Sequence, residues 1–170
     1  DEFLTAANVI LRRNYNRSDS LAARYAVLSV YEKLFGENDC DELKSISENL
    51  SSYAETYGLI PLLESGEEDI ILSAKIAAII PECLSDSAKF ALANSFADKL
   101  NKNVYDTDAE MAACLMGLAA LGNPVLNELK TIVKYKLSDE AYIYISAAFA
   151  LCGDYSAARQ VYDLVKPGIV

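Results

Sequence analysis

A spacing that occurs twice near the C-terminus limits this chain more than anything else in it. Asp108 and Asp139 lie 31 residues apart, and so do Gly122 and Gly153. Between them Met111 aligns with Tyr142, Leu118 with Phe149 and Ala119 with Ala150. A fixed period of this length marks stacked helical hairpins, none of which can bury its own apolar face alone. The local signals agree. Thr107 with Glu110 three residues on reads as a capping box. Met111, Cys114, Leu115, Leu118 and Leu121 follow at helical spacing. Gly122 suits the left-handed residue that ends a helix. Asn123 and Pro124 read as the cap and first residue of the next helix. Ser138 or Asp139 caps a third, Cys152-Gly153 ends it, and Asp154 caps a fourth. The expectation is two tandem hairpins, 107–136 and 138–166.

The second hairpin resembles a tetratricopeptide unit. A turn glycine, Gly153, is followed by a small residue, Ala158, and then by an aromatic, Tyr162, with Phe149 before the turn. The resemblance covers one unit and implies hairpin geometry. The chain departs from the family in spacing, about 34 residues in that repeat, and the first hairpin has Asn127 and Thr131 at the small and aromatic positions. The segments DTDAEMAACLMGLAALG and AFALCGDYSAARQV are also similar to the helical layers of the α/α-toroid group, which includes terpenoid cyclases and the thioester domains of α2-macroglobulins. That likeness implies a larger protein, secreted or at a cell surface.

Upstream, residues 2–14 form an amphipathic pattern with Phe3, Leu4, Ala7, Ile10 and Leu11 on one face. Leu21 to Phe35 carries two apolar stripes, one of them Ala26, Val27, Val30 and Leu34, which predicts a helix packed on both sides. Asp39 with Glu42 resembles a cap for a helix ending at Gly58. Pro61 suits the first position of a helical turn over Ile60–Leu63. The run IILSAKIAAII, Ile70–Ile80, is bounded by Pro81 and, with Ala74, Ala77 and Ala78, predicts a central helix. Ser85 caps the next, and Asn101–Tyr105 is a linker. The fold expected is all-α, about nine helices and no strand, arranged as a right-handed α-α superhelix or part of an α/α toroid. The expected organisation is a single helical-repeat domain over 1–170, a piece of a larger protein.

The chain carries a formal charge of −10. Such a surface repels phosphate, so nucleic acid is not an expected partner. No apolar run reaches the ~18 residues of a membrane span, so no membrane insertion is expected. No histidine is present, and the four cysteines, Cys40, Cys83, Cys114 and Cys152, are far apart. A zinc site and a histidine-based triad are thereby excluded. A Cys114–Cys152 disulfide is an option if equivalent helices stack. Asp106, Asp108 and Glu110 form the one tight carboxylate cluster near a helix start. As an acid site it would resemble the aspartate-rich motif of a cyclase, but the further aspartate is absent. Capping and helix-dipole interaction account for it. Eleven tyrosines remain, of which Tyr135, Tyr142 and Tyr144 are candidate contacts in a concave groove, against packing roles. The expected function is non-catalytic, with no cofactor: a module for protein–protein interaction or scaffolding, its partner an unidentified protein or peptide. The alternative is a small-molecule, lipid or glycan pocket in a degenerate toroid domain. Oligomeric state does not follow from the sequence.

Overall fold

A computed structural model of the chain describes residues 5, 9–11, 16–36, 40–64 and 66–165. Among these the fold is all-α. Its elements are α1 (Ser18–Phe35), α2 (Cys40–Tyr57), α3 (Ile70–Ile79), a 3-10 turn (Pro81–Cys83), α4 (Asp86–Lys102), α5 (Asp108–Ala120), α6 (Leu126–Ile132), α7 (Asp139–Leu151) and α8 (Tyr155–Tyr162). The helix expected over 2–14 and the Asp39 cap lie outside the described residues, apart from a few helical positions at 5 and 9–11.

Four of the caps read from the sequence are in place. Ser85, Thr107, Ser138 and Asp154 each accept the N–H three residues on through a side-chain oxygen. Each such bond satisfies a donor that the first turn leaves orphaned, a contribution of about 1 kcal/mol. Gly122 and Gly153 have φ of 78° and 83° and close α5 and α7. Asp69 also caps α3, its Oδ1 accepting from the Leu72 N–H at 2.8 Å.

α5 is the centre of the packing. It lies between α3 and α7, with α4 against a further side, and every residue from Met111 to Ala119 is buried. The reason is composition: alanines and Gly117 give α5 a thin profile, so neighbouring helices close in on it. α4 also packs on α2, which pairs with α1, and α8 folds back on α7. One hydrophobic cluster runs through all of them and includes Leu50, Ile76, Leu92, Phe96, Ile145 and Phe149. Burying a side chain of this size stabilises by roughly 1.5–3 kcal/mol.

Four expectations need correction. First, α1 is not packed on both sides: Val30 and Leu34 of its second stripe are exposed, Leu34 at 64%. Second, Ile60–Leu63 is not a helical turn. Pro61 pairs with Glu68 in an isolated antiparallel bridge. Ser18 fastens this strand-like piece, its hydroxyl donating to the Pro61 carbonyl at 2.6 Å and its N–H to the Leu62 carbonyl at 3.0 Å. Buried Ser73 completes the anchoring: its Oγ accepts the Ile60 N–H at 2.8 Å and donates to the Asp69 carbonyl at 2.6 Å. Third, Asn123 and Pro124 precede the helix rather than starting it; α6 begins at Leu126 after an uncapped Val125. Fourth, the two tandem hairpins are unequal. α7 and α8 pack closely, whereas α6 is a short helix that touches α7 and leaves an open groove beside α5.

Candidate functional site

A run of neighbouring grooves surrounds the connection from α4 to α5. α4 ends at Asn103, which takes a left-handed conformation with φ of 52°, one that asparagine tolerates better than most residues. The Asn103 N–H donates to the Leu100 carbonyl and the Val104 N–H to the Lys99 carbonyl, at 3.2 and 2.9 Å. This double closure ends the helix sharply and turns Val104 outward, with Tyr105 half-buried beside it. Val104 is 52% exposed, a large value for a β-branched apolar residue held by ordered backbone. The Tyr105 hydroxyl donates to Asn103 Oδ1 at 3.1 Å.

Three grooves meet there. The largest, ≈ 490 Å³, has Ile70, Ile71, Val104 and Tyr105 for its apolar part and five carboxylates, Glu67, Glu68, Asp69, Asp106 and Glu110, around them. A second, ≈ 430 Å³, runs from Tyr105 past Leu100, Met111 and Leu115 to Thr131 and Ile132 of α6. A third, ≈ 240 Å³, shares Glu68, Lys99 and Val104 with the first and reaches Tyr57 and Asp98. Elsewhere, a groove of ≈ 210 Å³ between α1 and α3 is almost wholly apolar, lined by Ala22, Ala26, Leu72, Ile76 and Ile80.

The carboxylates of the first groove have different duties. Glu68 pairs with Lys99 at 3.4 Å. Asp69 caps α3. Glu110 Oε2 accepts from the Asp106 N–H at 2.7 Å, one residue before the Thr107 position that a capping box uses. Glu67 and Asp106 have neither an ion pair nor a hydrogen bond from their side chains among the described residues.

Asp108 does something else again. Its Oδ2 and Oδ1 accept from the N–H and hydroxyl of Ser138, at 2.7 and 2.8 Å, so it fastens the start of α5 to the cap of α7. Partial burial opposes its charge, but the bonds from Ser138 and from the first backbone groups of its own helix outweigh burial and hold its pKa below the ordinary 3.8. A depressed carboxylate contributes stability that is complete above the ordinary value and disappears as pH falls through the folded-state value. Asp108→Ala is expected to cost about 1 kcal/mol at neutral pH, near the low end for charged hydrogen bonds because solvent reaches the pair. Urea unfolding at neutral pH and again well below 3.8 checks this. The deficit must shrink at the acid value.

The three tyrosines singled out from the sequence do not share one groove. Tyr135 is 63% exposed. Tyr142 sits near it, its hydroxyl accepting from the Leu137 N–H at 3.3 Å and donating to the Tyr135 carbonyl at 3.4 Å. Tyr144 is 6% exposed and lies on a different face of α7. Its hydroxyl donates to Glu140 Oε1 at 2.7 Å, and Lys75 Nζ stands 5.6 Å from its ring centroid. Burial, then the bond to the Glu140 carboxylate, raises its pKa. Cys114 and Cys152 are free thiols, and burial pushes Cys114 up to about 12, which makes it a core residue rather than a nucleophile. Among the described residues no three of His, Cys, Asp and Glu converge in an arrangement that could hold a metal ion, and no helix is long and apolar enough to cross a membrane.

No family model, curated protein or solved structure matches this chain. Its candidate site is therefore defined by its own geometry. Sequence reasoning passed over Val104 and Tyr105 as linker, and the signal that marks them is an apolar-aromatic pair directly after a helix-ending asparagine.

Proposed function

We propose that this chain is a non-catalytic helical-repeat module that docks a protein or peptide on the surface around the α4–α5 connection, within a larger protein. The observation that carries the reading is the meeting of three grooves at exposed Val104 and half-buried Tyr105. Exposed apolar groups beside concave surface are what a partner's side chains use as anchors. The resemblance of the segments DTDAEMAACLMGLAALG and AFALCGDYSAARQV to sequences of the α/α-toroid group supports a secreted or cell-surface parent.

The apolar groove between α1 and α3 supports a second reading, a site for a small hydrophobic ligand. Its ≈ 210 Å³ falls short of the roughly 300–1,000 Å³ usual for drug-sized ligands, so the first reading is preferred.

Panning a random peptide library against the folded chain tests the proposal. Selected peptides are expected to protect Val104, Tyr105 and the N-terminal turn of α3 from hydrogen exchange, and to lose at least about ten-fold in affinity against Val104→Asp. Protection centred instead on α8 or on the α1–α3 groove would remove the α4–α5 surface from consideration.

A further inference from the structure

The ≈ 490 Å³ groove has a chemical bias that names its partner more closely. Of its five carboxylates, three are already committed: Glu68 to a lysine, Asp69 and Glu110 to backbone N–H groups. Among the described residues Glu67 and Asp106 are not. The one cation in the wall, Lys99, is neutralised by Glu68. The chain as a whole carries −10, so the field over the groove is negative, and no further cation lines it among the described residues. Between the acids lie Ile70, Ile71 and Val104.

Resting on the interaction reading above, we infer that this groove receives a basic peptide segment. One aliphatic or aromatic side chain covers Val104 and Ile71, and flanking Arg or Lys side chains face Glu67 and Asp106. Neither half suffices alone. Exposed ion pairs contribute little individually, and the apolar area is small, so the two must act together. An acidic partner meets uncompensated repulsion. The same argument sets aside nucleic acid and anionic membranes, both of which present phosphate to a surface of the same sign.

Three labelled peptides of equal length, alternating Arg-Leu, Ser-Leu and Glu-Leu, test this by fluorescence anisotropy. The Arg-Leu peptide is expected to bind, and to weaken about ten-fold as salt rises from about 0.05 to about 0.5 M, where screening becomes short-ranged. Glu67→Gln/Asp106→Asn, which removes two exposed charges with no structural bond, is expected to weaken it by at least about five-fold. Val104→Ser should weaken it similarly. Glu32→Gln/Asp163→Asn, which removes the same charge away from the grooves, should leave it within about two-fold. Far-UV circular dichroism confirms that each variant is folded. Equal losses in the two double variants would reduce the effect to net charge and overturn the inference. Equal binding of the Ser-Leu peptide, still sensitive to Val104→Ser, would overturn the basic partner while leaving the docking surface in place. Binding of any of the peptides without sensitivity at Val104 would overturn both, as would no binding by any of the three.

Discussion

Replacing Phe149 by alanine is expected to lower stability by about 3–5 kcal/mol, the range for removing a fully buried aromatic side chain. Phe149 is 1% exposed and belongs to the common core. Its helix, α7, is the one on which both α5 and α8 pack. A packed core relaxes only partly around a side chain that is removed. The cavity would stay open, which puts the cost above simple transfer. Against a usual total of about 5–15 kcal/mol, such a loss leaves a marginal fold. Urea denaturation of the variant, with Phe149→Leu as the milder comparison, measures it. A loss below about 1 kcal/mol would mean that the C-terminal hairpin is not packed as described.

Gly117→Ala is the second large effect, and here two principles oppose one another. Gly117 lies in the interior of α5, where alanine ordinarily gains about 1 kcal/mol of helix propensity. A Cβ at this position, however, would stand 2.4 Å from Phe96 Cε2 and 2.8 Å from Cδ2 and Cζ. Phe96 is fully buried, so its ring has nowhere to go. Overpacking a tight core costs about 1–3 kcal/mol, and contacts this short belong at or beyond the top of that range. The net expectation is destabilisation of about 2 kcal/mol, opposite in sign to propensity. The double variant Phe96→Leu/Gly117→Ala should recover part of the loss, with a coupling of at least about 1 kcal/mol in a double-mutant cycle. A neutral or stabilising Gly117→Ala would show that α4 and α5 do not approach closely.

What could be read from the sequence was what is decided within a few residues. Thr107, Ser138 and Asp154 meet donors three positions on, and Gly122 and Gly153 have the left-handed backbone that their turns require, so both kinds of signal were visible in the linear text. The all-helical class followed from these and from the apolar periodicity. What could not be read depends on partners far along the chain. Pro61 looked like a helix start, but Ser18 and Glu68 hold it in a bridge, and Ser18 is 43 residues away. Asp108 looked like a local cap, and besides the first backbone groups of its own helix it holds Ser138, 30 residues on. The ≈ 490 Å³ groove is assembled from the N-terminal turn of α3, the end of α4 and the start of α5. No single stretch of sequence announces it. Tyr142 and Tyr144 stood two positions apart in sequence as groove candidates, yet positions two apart on a helix look in different directions.

The enclosure of α5 has a consequence for how this molecule comes apart. In an ordinary linear array each unit can fray from an end while its neighbours persist. Here the segment Met111–Ala119 has no face of its own towards water, so detaching either α3 or α7 strands an oily helix. Partial unfolding is thereby penalised from both sides, and the array opens as a whole or not at all. The slowest-exchanging amides of the chain should belong to α5, and a truncation that removes α7 and α8 should yield an aggregating product rather than a shorter soluble array.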